Sequence, residues 1–268
     1  MKIRIVCAAV AWLWLGVSGA GAQIDEEKLV DLTYAFDEQT LFWPGNGRFH
    51  RDITAWGEAA GGYWYSAGSF SMAEHGGTHL DAPIHFGERR RTMDAIPLRQ
   101  LIGPAVVVDV AAAVAENSDY RLTVGDLQQW EQRHGRIPLG AIVLMHSGWG
   151  SRWPDAARYF GSATPDDAST FHFPGFSREA AEFLVRERHI SGVGVDTASI
   201  DHGPSRDFPV HRVLNEAELY GLENVANLRQ VPPAGAILIA LPMKITGGTG
   251  GPVRIIAVLP DARGRSLR

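Results

Sequence analysis

Thiols are nearly absent from this sequence: its 268 residues include one cysteine, Cys7. No disulfide can form within the chain, and Cys7 falls in a leader that maturation would remove, so a cysteine nucleophile is excluded as well. A protein without thiols suits an oxidising compartment. The apolar run Ile5–Val17 is too short for a membrane span, which needs roughly 20 residues. Lys2 and Arg4 precede it, and small residues ending in Ala20-Gly21-Ala22 follow it, an A-x-A cleavage signal. Residues 1–22 therefore read as a signal peptide without a stable membrane anchor. The mature chain is expected to start at Gln23 and to be periplasmic or secreted.

Positive charge is sparse too. The formal net charge is −5, and Arg89-Arg90-Arg91 is too short and isolated to make a nucleic-acid footprint. The expected partner is a small molecule, neutral or anionic. No G-x-S-x-G nucleophile elbow occurs. The run Gly247-Gly248-Thr249-Gly250-Gly251 lacks a Walker lysine and opens no helix, which argues against phosphate binding. No internal repeat or interdomain linker interrupts residues 23–268, so one domain is expected.

What the sequence does have is a dense polar segment, His75-Gly76-Gly77-Thr78-His79-Leu80-Asp81-Ala82-Pro83-Ile84-His85-Phe86. A single histidine here would read as an ordinary loop residue. Three with an aspartate, spaced by glycines, read as a metal site, because imidazole and carboxylate hold Zn²⁺, Mn²⁺ or Fe²⁺. Spacing then constrains shape. An extended strand rises roughly 3.3 Å per residue, which would set His75 about 13 Å from His79. Ligands of one ion, each about 2 Å from it, cannot lie that far apart. The chain must turn between them, and Gly76-Gly77 permits the turn. His79 to Asp81 can be extended. Pro83 fixes the backbone before His85, which can stand near an ion without binding it.

Alternating strands and helices make α/β the natural class. Strands are expected at Leu29–Tyr34, around Phe70 and Met72 as a half-buried strand, at Leu101–Val110, Ala141–His146 and Gly192–Val195, and near residues 237–241 and 253–259. Thr123 caps a helix running to His134, Ser177 caps one at Arg178–His189, and His211 begins a third. Phe42 and Trp43, beside the Pro44-Gly45 turn, either line a flat substrate pocket or pack the core edge. His146 reads as a hydrogen-bonded structural histidine rather than a ligand. The cluster Asp196 to His202, just past a strand end, suits either a site or turn chemistry. The aromatic loop 150–174 is long enough to suggest a lid or an oligomer contact.

The segment His75 to Phe86 resembles the signature of the cyclase family of metal-dependent hydrolases. The likeness extends to Asp31-Leu32-Thr33, Trp43-Pro44-Gly45, Gly194-Val195-Asp196-Thr197 with Ser199 and Asp201, His211, Leu222-Glu223-Asn224 and Gly251-Pro252-Val253-Arg254. It implies a mixed-sheet α/β domain of the swivelling β/β/α type, assembled as a dimer or tetramer. It further implies that His75, His79 and Asp81 are metal ligands and His85 the catalytic histidine. In the formamidase branch a second zinc shares the aspartate and takes positions matched by His211 and Glu223. In the isatin hydrolase branch one manganese suffices. Length and the aromatic loop favour the latter branch; the export signal departs from both.

The expected activity is hydrolysis of an amide C–N bond in a small aromatic or cyclic amide by metal-activated water, with His85 moving the proton. The alternatives are an arylformamidase acting on N-formylkynurenine, a lactone or ester hydrolase, and an exported metal- or ligand-binding protein without catalysis. A closed coordination sphere would mark that last case.

Overall fold

Alternation along three valine-rich strands builds the centre of this protein, a computed structural model that describes residues 25–261. The expected signal peptide, residues 1–22, lies outside the described residues. In chain order the strands are β1 Leu29–Asp31, β2 His50–Glu58, β3 Trp64–Ser71, β4 His79–Asp81, β5 Ile102–Asp109 and β6 Arg121–Leu122, then β7 Ile142–His146, β8 Gly175–Phe176, β9 Gly192–Val195, β10 Tyr220–Glu223, β11 Ile237–Pro242 and β12 Gly250–Val258.

The main sheet runs β1-β12-β11-β5-β7-β9-β10-β4, and β4 also pairs with β12, which closes it into a barrel. Its parallel part is β5-β7-β9-β10; the remaining pairings are antiparallel. Parallel neighbours need long crossovers. The helices Val124–His134, Arg178–Phe183 and Pro209–Glu216 lie in those crossovers.

Because side chains alternate along a strand, each barrel strand contributes to two cores. Val107, Leu144, Leu222, Leu238 and Ile255 fill the inside with Leu80. Val106, Val108, Val143, Met145, Val193 and Val195 face outward and are covered by the helices and by Trp130, Phe171, Phe173 and Phe176. Gly194 leaves room inside: a Cβ there would lie 2.6 Å from Leu144. Truncating such an interior leucine to alanine should cost about 2–5 kcal/mol.

Local signals set the helix ends. Thr123 and Asp126 form a reciprocal capping box, and Gly135 ends that helix at φ 88°. Ser177 accepts from the Ala180 N–H, and the helix continues as a π turn, Leu184–Arg188, before His189 stops it in a left-handed conformation.

Two expectations are corrected. The 150–174 segment is packed into the fold rather than a loose lid: Tyr159, Phe160, Phe171 and Phe173 are all buried in the outer core, Phe160 also lining a cavity. Aromatic density there reflects packing. The strand around Phe70 belongs to a projecting hairpin, β2–β3, and is not half-buried. Ile53, Trp56, Trp64 and Phe70 share one face of this hairpin through its register, and all are more than half exposed.

Candidate metal centre and active site

The turn that ligand spacing demands is present. Gly77 has φ 58°, a left-handed value, and β4 begins only at His79. A Cβ on Gly76 would lie 2.0 Å from the Phe42 ring, so a side chain there would displace Phe42. In β4, Leu80 points into the barrel and leaves His79 and Asp81 on the outer face. The β10–β4 register sets Glu223 opposite His79 and Gly221 opposite Asp81. On the other side, β12 sets Gly250 opposite Asp81. The Asp81 carboxylate thus stands between two glycines.

Around it the donors converge. Asp81 Oδ1 lies 2.6 Å from His75 Nδ1 and 3.1 Å from His79 Nε2. Asp81 Oδ2 lies 3.4 Å from His211 Nε2. Glu223 Oε1 is 3.2 Å from His211 Nε2, and Oε2 is 3.5 Å from His79 Nε2. The structure therefore brings His75, His79, Asp81, His211 and Glu223 into one cluster. His85, on the short 3₁₀ turn Pro83–His85, stacks on His75 with ring centroids 3.8 Å apart.

Partners outside the cluster orient it. His79 Nδ1 donates to the Gly77 carbonyl at 3.0 Å, and Asn224 Nδ2 donates to the same oxygen at 2.6 Å. His211 Nδ1 donates to Asp201 Oδ2 at 2.7 Å. Asp201 also accepts from the Val210 and His211 N–H groups, capping the helix Pro209–Glu216 from a distance. The preceding residue, Phe208, cannot do so, since its ring carries no acceptor; it also sits at φ 47°, a strained conformation for a bulky side chain. Glu223 Oε1 accepts from the Ile200 N–H at 2.9 Å.

Burial and charge act together on these groups. Burial alone would depress His79, but the adjacent Asp81 carboxylate and then Glu223 lift it to about 9. Burial would raise Asp81, yet His79, His211 and His75 hold it well below the usual carboxylate range. His211 is likewise pushed well up against burial, by Asp201, Asp81 and Glu223. His85 goes the other way: burial, only partly offset by Asp81, takes it down to about 3, and the neighbouring imidazoles add to the fall.

The donor set fits a divalent cation. Asp81 Oδ2 is buried without a hydrogen-bond partner, since His211 is not aligned to supply one. A buried, orphaned carboxylate oxygen facing imidazole nitrogens is costly unless a cation satisfies it. Two overlapping groups have metal-ligand spacing: His75, His79 and Asp81, and Asp81, His85 and His211.

Above the cluster opens a cavity of about 270 Å³. Its walls include Leu41, Phe42, Trp43, Phe86, Phe160 and Phe208; its floor carries His75, His79, His85, His211 and Glu223. Phe42 and Trp43 are at once cavity wall and core packing. Each lines the cavity, while Phe42 bridges to Gly76 and Trp43 meets Phe171 edge-on at 5.2 Å.

The family model described as "Putative cyclase" matches residues 30–202. This chain belongs to the cyclase family of metal-dependent hydrolases. The isatin hydrolase of Roseibium aggregatum is 35% identical over 199 residues, 71% of this chain and 74% of that protein. The kynurenine formamidase of Salinibacter ruber is 32% identical over 237 residues, 87% of this chain and 98% of that protein. The solved structure of isatin hydrolase A from Ralstonia solanacearum superposes with a TM-score of 0.79 at 39% identity, over 86% of this chain and 91% of that one.

In this cyclase-family chain some residues do not reach the site as spacing in sequence might suggest. His146 faces Asp109 at 3.3 Å, away from the cluster, in keeping with a structural histidine. For others the sequence assigned no definite role. Phe208 lines the cavity, brought there by the tertiary fold alone; Phe86, the last residue of the motif, lines it too, and Asp201, from the polar cluster after β9, holds His211. The polar cluster at 196–202 turns out to serve both purposes considered for it, since Ser199 lines the cavity while Asp201 caps a helix.

Proposed function

We propose that this chain hydrolyses an amide C–N bond in a small, flat aromatic or cyclic amide of the isatin kind, using a divalent metal. The observation that carries this reading is the placement of a neutral His85 at the edge of a metal-donor cluster, under an aromatic cavity. The cavity of about 270 Å³ falls just below the ~300–1,000 Å³ of pockets for drug-sized ligands, which suits a small substrate. Relatives named isatin hydrolase and kynurenine formamidase support the reaction class.

His75, His79 and Asp81 Oδ1 would hold the ion, with Mn²⁺ or Zn²⁺ suited to this nitrogen and oxygen set. Asp81 Oδ2, His211 and Glu223 form a second donor group able to take another. A bound divalent ion supplies Lewis acidity, acidifying a water and polarising the substrate carbonyl. Phe42, Trp43 and Phe208 hold the flat substrate and exclude bulk water. His85, neutral at working pH, accepts the proton of the attacking water. The carbon–nitrogen bond then breaks as His85 returns that proton to the leaving nitrogen. A linear N-formyl aryl amide is the second reading, favoured by the Salinibacter ruber relative that this chain covers almost entirely.

Two further inferences concern context. Export to the periplasm or exterior is supported by the Lys2, Arg4, Ile5–Val17 and Ala20-Gly21-Ala22 pattern; N-terminal sequencing of exported protein should begin at Gln23. Assembly as a dimer or tetramer is supported by the uncovered apolar face of β2–β3, because an isolated hairpin is marginal in water.

The deciding experiment compares hydrolysis of isatin and N-formylkynurenine, with Mn²⁺ and with Zn²⁺, before and after chelation. Isatin turnover that chelation abolishes is expected. Full activity in a metal-stripped preparation would sink the proposal.

A further inference from the structure

A histidine ligand needs one nitrogen for the ion, and whatever binds its other nitrogen decides which one is free. His79 and His211 both donate from Nδ1, to the Gly77 carbonyl and to Asp201, and turn Nε2 toward the carboxylates. His75 is reversed. Its Nδ1 faces Asp81 Oδ1 at 2.6 Å, while its Nε2 lies 3.0 Å from Thr249 Oγ1.

The direction of that last hydrogen bond follows from the next residue along. Thr249 Oγ1 lies 2.5 Å from Glu74 Oε2, and the Thr249 N–H meets the same oxygen at 2.9 Å. A carboxylate accepts and does not donate. The Thr249 hydroxyl hydrogen is therefore committed to Glu74. Only lone pairs remain for His75, so Nε2 must carry a proton; Nδ1, 2.6 Å from Asp81 Oδ1, is the nitrogen left to face the donor cluster, where an ion would take the place of any proton shared with that carboxylate. Gly250 completes the seat, since a Cβ there would lie 2.4 Å from His75 Cε1. The glycine run, which lacks the marks of a phosphate loop, thus makes room for His75 instead.

We propose that Glu74 and Thr249 are positioning residues that select the tautomer of His75 able to ligate through Nδ1. The proposal deepens the metal reading and rests on it. Neither residue is among those lining the cavity. Their effect is exerted through the readiness of His75 to bind an ion, because the opposite tautomer would present an N–H where a lone pair is needed.

The test titrates the full chain with Zn²⁺ or Mn²⁺ alone against a competing chelator, and reads the His75 ring nitrogens by ¹⁵N NMR in the Zn²⁺ form. Thr249→Val should weaken binding by roughly 10–100-fold, the usual cost of losing such a partner. Thr249→Ser keeps the hydroxyl and should restore affinity and the Nε2–H signal. Glu74→Ala frees the hydroxyl to donate to His75, and should give a mixture of tautomers and an intermediate affinity. Thermal melts identify any variant that fails to fold; if Thr249→Val does, the Glu74→Ala and Thr249→Ser pair decides. Wild-type affinity in both Thr249→Val and Glu74→Ala would overturn the relay alone. A wild-type chain that binds neither ion would overturn the metal reading with it.

Discussion

Glu223 faces His79 directly across the β4–β10 ladder, with Oε2 3.5 Å from His79 Nε2. Its other oxygen, Oε1, is 3.2 Å from His211 Nε2. Asp81 divides itself in the same way, Oδ1 toward His75 and His79 and Oδ2 toward His211. Two carboxylates thus link two histidine groups, which is how a site shared between ions is built.

Counting ions follows from that arrangement. At saturating Zn²⁺ the chain is expected to hold about two ions, and Glu223→Ala about one, as in two-metal sites that lose one set of ligands. Elemental mass spectrometry after desalting gives the ratio. A count of one in both proteins would remove His211 and Glu223 from the ligands and leave them as hydrogen-bonding partners.

His85 should separate chemistry from metal binding. Removing a positioned acid–base group costs typically 10²–10⁴-fold in rate, so His85→Ala should lower kcat by roughly that factor while metal content stays at the wild-type level. The second metal-ligand grouping includes His85 with Asp81 and His211. If kcat and metal content fell together, His85 would belong with the ligands.

The segment from His75 to His85 was legible because its donors lie close together in sequence, where spacing alone shows that the chain must turn. The central strands and the helices capped by Thr123 and Ser177 were legible for a similar reason: their signals are local. Glu223 and His211 entered only through resemblance to a family. Barrel closure sets Glu223 beside His79, and closure depends on the pairing of β4 with both β10 and β12. Asp201 was marked only as part of a polar cluster with two possible uses, and Thr249 and Glu74 meet across 175 positions of the chain, so nothing in the local pattern assigns these residues their roles. The 150–174 loop misled because aromatic residues look alike whether they wait for a ligand or fill a core.

Metal affinity should depend steeply on pH. Without an ion His79 keeps its proton up to about 9, and a ligating imidazole must be neutral. Binding therefore expels about one proton from this residue, and affinity should rise about tenfold per pH unit until that point. Competition titrations at pH 6.5, 7.5 and 8.5 would show the slope. A flat profile would mean that His79 is already neutral before the ion arrives.

Far from the site, Glu131 and Arg188 join the helix Val124–His134 to the π turn. Arg188 Nε and Nη2 donate to the two Glu131 oxygens at 2.6 and 2.8 Å, and the Ile137 N–H adds a third bond at 2.9 Å. The side chains are only 15% and 10% exposed. The Arg188 hydrogen bond, outweighing burial, holds Glu131 below its ordinary value of 4.5. A carboxyl depressed in the folded state is protonated more readily in the unfolded one. Its contribution is therefore full above about 4.5 and is lost as pH falls through the lower folded value. Glu131→Gln should cost about 2 kcal/mol at pH 7, the scale of hydrogen bonds to charged groups. Urea unfolding at pH 7 and pH 3.5 should show the gap between wild type and variant shrinking on acidification. A gap equal at both pH values would assign the loss to packing rather than to the charge on Glu131.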